Sequence, residues 1–128
     1  MNKPLALVAE DDRALADILR LALEKAGYAV TVAHNGTRAL DLASLKTFEV
    51  VVSDYQMPGL NGEQLLTALR ENRACPNAAL FLCSAKSYEL DSERLRDSLG
   101  LSGVFYKPFS LTELIAAVHA ACAHAPSC

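Results

Sequence analysis

Short runs of β-forming apolar residues alternate with segments of helical periodicity from one end of the chain to the other, and few architectures satisfy that pattern. The runs are Leu5 to Ala9, Tyr28 to Ala33, Val50 to Ser53, Ala79 to Cys83 and Val104 to Tyr106. After the first, Leu15, Ile18, Leu19, Ala22 and Ala26 draw one apolar stripe on a helix closed by Gly27. A shorter helix is predicted over about Thr37 to Leu45, and Asn61 with Gln64 forms a capping box ahead of Leu65, Ala68 and Leu69. Ser87 to Leu99 is charge-rich with few apolar anchors and predicts a loosely held helix, whereas Ser110 with Glu113 opens a last helix carrying Leu111, Leu114, Ile115, Val118 and Cys122. Five β-runs, each followed by a helix, predict an α/β fold. Right-handed crossovers then lead to a doubly wound, five-stranded parallel sheet of order 2-1-3-4-5 with five helices. Five units are too few for an eight-fold barrel.

A chain of 128 residues buries roughly two-thirds of its unfolded surface, enough for a core without staples. With no linker or internal repeat in view, we expect a single domain over residues 1–128 and no separate output domain. Cys75, Cys83, Cys122 and Cys128 form no CxxC pair, so they are expected to be reduced thiols. The longest apolar run, Ala78 to Cys83, is far too short to span a membrane, and the N-terminus lacks the features of a signal peptide; a cytoplasmic location without membrane contact is expected. The 12 basic and 15 acidic side chains leave a formal charge of −3 and show no basic patch, which argues against nucleic acid as a partner.

In such a sheet, ligands lie outside the carboxyl ends of the strands. The residues there are Glu10-Asp11-Asp12, Asp54-Tyr55-Gln56-Met57-Pro58-Gly59, Ser84-Ala85-Lys86 and Lys107-Pro108-Phe109. Taken singly they read blandly: an acid capping a helix, an acid before a turn, a hydroxyl at a strand end, a solvated lysine. Together they put Asp11, Asp12 and Asp54 side by side, and of three carboxylates so placed either one stays protonated or a cation neutralises them. Mg²⁺ fits, since it is content with one or two carboxylates plus water and phosphate oxygens and suits phosphoryl transfer. One acid, Asp54, could then be the nucleophile, with Ser84 and Lys107 on the phosphoryl oxygens and the Pro58-Gly59 turn directing the Gln56 carbonyl toward the metal. His34, His119 and His124 share no loop and no ligand spacing.

With these residues in place, the sequence resembles the CheY-like receiver domain of two-component response regulators. The likeness runs from Asp11-Asp12 through Asp54-Tyr-Gln-Met-Pro-Gly-Leu-Asn-Gly and Ser84-Ala85 to Lys107-Pro108-Phe109. It implies a flavodoxin-like fold and a phosphoryl group accepted on Asp54 from a phosphohistidine of a sensor histidine kinase or histidine phosphotransferase. It further implies Mg²⁺ on Asp12, Asp54 and the Gln56 carbonyl with Asp11 acting through water, and a cis Lys107–Pro108 bond. Ser84 and Lys107 would close on the phosphoryl oxygens and alter the surface of helix four, strand five and helix five for a downstream protein target. The chemistry would be self-directed rather than enzymatic. Two features depart from or modulate the pattern: the usual switch aromatic, three residues before the lysine, is Val104, with Tyr106 on the same strand face; and the pair Gln56 and Lys86 occupies positions that tune acyl-phosphate hydrolysis. A relay or phosphate-sink receiver from a larger protein is a second reading. An Mg²⁺-dependent aspartyl-phosphate phosphatase is remote, because its general acid would stand where Gln56 stands. A receiver fold that signals without phosphorylation is disfavoured, since every acceptor-site group is present.

Overall fold

The computed structural model describes residues 3–71, 78–85 and 92–123. Ten elements alternate along it: β1 (Leu5–Ala9), α1 (Arg13–Lys25), β2 (Ala29–Ala33), α2 (Gly36–Leu45), β3 (Val50–Asp54), α3 (Gly62–Glu71), β4 (Ala79–Ser84), α4 (Ser92–Leu99), β5 (Gly103–Tyr106) and α5 (Leu111–Ala123). The strands form one sheet of order β2-β1-β3-β4-β5, every neighbouring pair parallel, as the alternation predicts. Because side chains alternate across a strand, successive valines of β3 serve opposite faces. Val51 joins Leu65, Leu66, Leu69, Leu95 and Leu99 beneath α2, α3 and α4, while Val50 and Val52 join Leu19, Leu23, Leu114 and Val118 beneath α1 and α5.

Local signals set the helix starts. Asn61 and Gln64 make the expected reciprocal cap, with the Asn61 N–H donating to Gln64 Oε1 at 2.9 Å and the Gln64 N–H to Asn61 Oδ1 at 2.8 Å. The Glu113 N–H donates to Ser110 Oγ at 3.2 Å, and the Arg38 N–H donates to Asn35 Oδ1 at 2.7 Å at the head of α2. The buried stripe of α1 is rotated from the expected one: Ala16, Leu19 and Leu23 are buried, while Ile18 is 47% exposed. Ile18 lines an open groove with the β5–α5 connection instead of the sheet. The helical reading of Ser87 to Leu99 holds over α4, and residues 86–91, with Tyr88 and Leu90, lie outside the described residues. α4 sinks Leu95 and Leu99 into the core, worth roughly 3–6 kcal/mol of burial, where α3 sinks Leu65, Leu66 and Leu69.

Two strands run one residue beyond their expected ends, and this matters for the site. Asp54 is the last residue of β3, aligned with Cys83, and Ser84 is the last of β4, aligned with Tyr106. Both are therefore held by the ladder rather than by loops. No described helix is long and apolar enough to cross a membrane.

Candidate functional site

Four strand ends supply the site. Glu10 follows β1 with its N–H bonded to the Ala33 carbonyl at 3.0 Å, Asp54 and Ser84 end β3 and β4, and Lys107 follows β5 with its N–H on the Ser84 carbonyl at 2.7 Å. The Lys107–Pro108 peptide is cis. Lys107 Nζ lies 3.0 Å from Asp54 Oδ1 and 3.1 Å from Glu10 Oε1, bridging two nearly buried carboxylates. One carboxylate oxygen from each of Glu10, Asp11 and Asp54 comes within 4.8 Å of the others, Asp11 being the exposed member.

The expected acidic pair is thus shifted by one residue. Asp12 is not in this group; its Oδ1 accepts the N–H of Ala14 at 3.0 Å and of Leu15 at 3.3 Å, which makes it the N-cap of α1. Glu10 takes the place in the carboxylate group that was expected for Asp12, and its Oε2 also accepts the Asp12 N–H at 3.2 Å. A signal for this was present: β1 ends at Ala9, so Glu10 is the first residue past the strand, and the acid nearest the helix is the one free to cap it. His34, to which the sequence assigned no role, places Nδ1 3.1 Å from the Glu10 carbonyl oxygen, so that Nδ1 carries the proton. Ser84 is buried at the rim and Gln56 lies exposed in the loop after β3. Gly62 closes that loop: its N–H donates to the Tyr55 carbonyl at 2.7 Å, and a Cβ there would fall 2.4 Å from the Asp54 carbonyl oxygen.

The electrostatics are those of an under-neutralised anionic site. Burial, followed by the Asp54 charge, pushes Glu10 up to about 7, and burial also raises Asp54, in both cases against the pull of Lys107. Lys107 is raised despite its own desolvation, because Asp54 and Glu10 both bond its ammonium. Burial drives the Cys83 thiol to about 12, so it stays protonated. The donor set suits a hard divalent ion: three carboxylate oxygens close together, one of them open to water.

A pH dependence follows for the metal-free chain. Below pH about 4.5 Glu10 is protonated whether folded or unfolded; between about 4.5 and 7 only the folded chain keeps its proton, so stability falls as pH rises through that window. Urea denaturation in EDTA should show a loss on the order of 2–3 kcal/mol from pH 5 to pH 8. Glu10→Gln should flatten the profile, and Mg²⁺ should restore stability at pH 8. A wild-type profile that matches that of Glu10→Gln would contradict the assignment.

The response regulator receiver domain family matches residues 6–119 of this sequence. The chain belongs to that family. Among curated relatives, this receiver domain is 36% identical over 121 residues to an uncharacterized transcriptional regulatory protein, YkoG, of Bacillus subtilis, covering 94% of this chain and 52% of the relative. It spans about half the length of the curated relatives it matches. Among solved structures, the Francisella response regulator 1452 receiver domain is similar with a TM-score of 0.81 at 33% identity, covering 92% of this chain and 95% of that one. A Burkholderia pseudomallei response regulator, solved with a phosphorylated aspartic acid, calcium ion and citrate, has a TM-score of 0.79 at 27% identity over 90% of this chain and 66% of that one.

Proposed function

We propose that this receiver domain accepts a phosphoryl group on Asp54 from a phosphohistidine, in an Mg²⁺-dependent, self-directed reaction. The observation that carries the reading is the Lys107 bridge: one ammonium sits 3.0 Å from Asp54 Oδ1 and 3.1 Å from Glu10 Oε1, at the floor of a site that Asp11 opens to solvent. The phosphorylated aspartic acid of the Burkholderia relative supports the same assignment.

Glu10, Asp11, Asp54 and the Gln56 carbonyl are the groups that would hold Mg²⁺. Bound there, the ion would neutralise charge on the carboxylates and on the transferring group. The rest is done by the chain. A carboxylate oxygen of Asp54 attacks phosphorus in line; the P–N bond of the phosphohistidine breaks as the P–O bond forms, and the ring, protonated on its other nitrogen, leaves with the bonding pair as neutral imidazole. Lys107 already lies against the nucleophile, so it can follow negative charge onto a phosphoryl oxygen with little reorganisation. Ser84, on the neighbouring strand one residue past the level of Asp54, would donate to another oxygen.

A partner must present its histidine at this rim. Beside Lys107 lies a groove of about 440 Å³ lined by Leu15, Ile18, Pro108, Phe109 and Leu111, largely apolar and bordered by Asp12. The half-exposed Ile18, unexplained by the core, fits a surface that a kinase or phosphotransferase helix covers during transfer.

Downstream, we infer a changed surface on α4, β5 and α5. Val104 and Tyr106 share the face of β5, and Tyr106 stands in register with Ser84, which suits it to sense occupation of the site. Beryllofluoride with Mg²⁺ is the test. The ¹⁹F resonance of bound beryllofluoride should require Mg²⁺, and its binding should change hydrogen exchange in β5 and α5. In Tyr106→Ala the ligand should still bind, with that exchange response at least halved. An undiminished response would remove Tyr106 from the switch, and no Mg²⁺-dependent binding in the wild type would contradict the phosphoryl-transfer reading.

The similarity of this chain to about half of longer transcriptional regulators favours a second reading, in which it works as the receiver part of a larger protein or relay. The phosphoryl chemistry is common to both.

A further inference from the structure

Among the described residues, polar contacts tie α4 to α3. At its far end, Arg70 of α3 donates from Nε to the Leu99 carbonyl at 2.8 Å and from Nη2 to the Gly100 carbonyl at 3.1 Å. The first is the carbonyl of the last residue of α4, which lacks an intrahelical partner and carries the negative end of the helix dipole, and the second belongs to the glycine that follows it. A planar guanidinium satisfies both at once, which a lysine cannot do with the same fixed geometry. Nearer the start of α4, Arg94 approaches Glu63 at 3.5 Å, an exposed pair of small expected weight. Between these ties only Leu95 and Leu99 are buried among the described side chains of α4. α3 itself starts on the acceptor, since Gly62 bonds the Tyr55 carbonyl and packs on the backbone of Asp54.

We propose that Arg70 is the clasp that fixes α4 to α3, so that α4 opens as a local unit when the clasp is released, without unfolding the sheet. The position of α4 is then set by the helix whose first residue, Gly62, packs on the backbone of Asp54. The clasp is a property of the free chain and is tested there, independently of phosphoryl transfer.

The experiment is amide hydrogen exchange on the unliganded protein, comparing wild type with Arg70→Ala, Arg70→Lys and Glu63→Gln. In Arg70→Ala, the amides of Arg96 to Gly100 should exchange at least about tenfold faster while the slow amides of β1 and β3 keep their rates. Arg70→Lys should fall between wild type and Arg70→Ala, and Glu63→Gln should change the α4 rates less than about threefold. Unchanged α4 rates in Arg70→Ala overturn the proposal, as does the same acceleration in β1 and β3, which marks a global loss of stability. An effect of Glu63→Gln equal to that of Arg70→Ala overturns the assignment to Arg70.

Discussion

Glu10→Gln should lower Mg²⁺ affinity at least about tenfold, equivalent to 1.4 kcal/mol, whereas Asp12→Ala should leave it within about twofold. The argument is one of charge. Once ionised, Glu10, Asp11 and Asp54 bring three negative charges together and Lys107 returns one positive charge, leaving a surplus of two, which a divalent cation cancels. Glu10→Gln keeps the shape and an oxygen for the Asp12 N–H but halves that surplus. Asp12 spends its side chain on the α1 N-terminus, so its removal should cost about 1 kcal/mol of stability through the lost cap. Isothermal titration with Mg²⁺, paired with urea denaturation, separates the two effects. If Asp12→Ala loses the metal and Glu10→Gln keeps it, the pair expected from sequence is the working one and the geometry described for Glu10 is not.

Gly62→Ala should destabilise the fold by about 3 kcal/mol, although an alanine in an open helical position is ordinarily better than glycine by about 0.5–1 kcal/mol. The sign reverses because the new methyl would lie 2.4 Å from the Asp54 carbonyl oxygen and 2.9 Å from Tyr55 Cα, both backbone atoms that a rotamer change cannot move. Relief requires α3 to back away from β3, carrying the loop that closes the acceptor site. The urea midpoint should drop accordingly, and Mg²⁺ affinity should fall with it. A stability within about 1 kcal/mol of wild type would show that the β3–α3 junction is slacker than these distances imply.

Much of this was legible in the residues. The β–α alternation led to the strand order, and the Asn61–Gln64 box led to the start of α3, because both are local patterns with one physical solution. The placement of Asp54 and Ser84 at the carboxyl end of the sheet was legible because each follows an apolar β-run directly, and that edge is where a doubly wound sheet binds ligands. What escaped needed three-dimensional context. Glu10, Asp11 and Asp12 are chemically near-equivalent, and only the capping geometry at Asp12 says which of them turns away from the site. Ile18 sits on the apolar stripe by periodicity, yet the sheet takes Ala16, Leu19 and Leu23, and Ile18 is left beside Pro108 and Phe109. The Lys107 bridge and the Arg70 clasp join residues far apart in sequence, with no pattern to announce them.

The central claim is that Asp54 is a phosphoryl acceptor. Intact mass after incubation with acetyl phosphate and Mg²⁺ tests it most directly, on wild type and Asp54→Ala in parallel. One phosphoryl adduct is expected on the wild type, absent in EDTA and absent in Asp54→Ala. An adduct that persists in the folded Asp54→Ala variant, or a wild type that neither takes up phosphoryl nor binds beryllofluoride with Mg²⁺, would contradict the account.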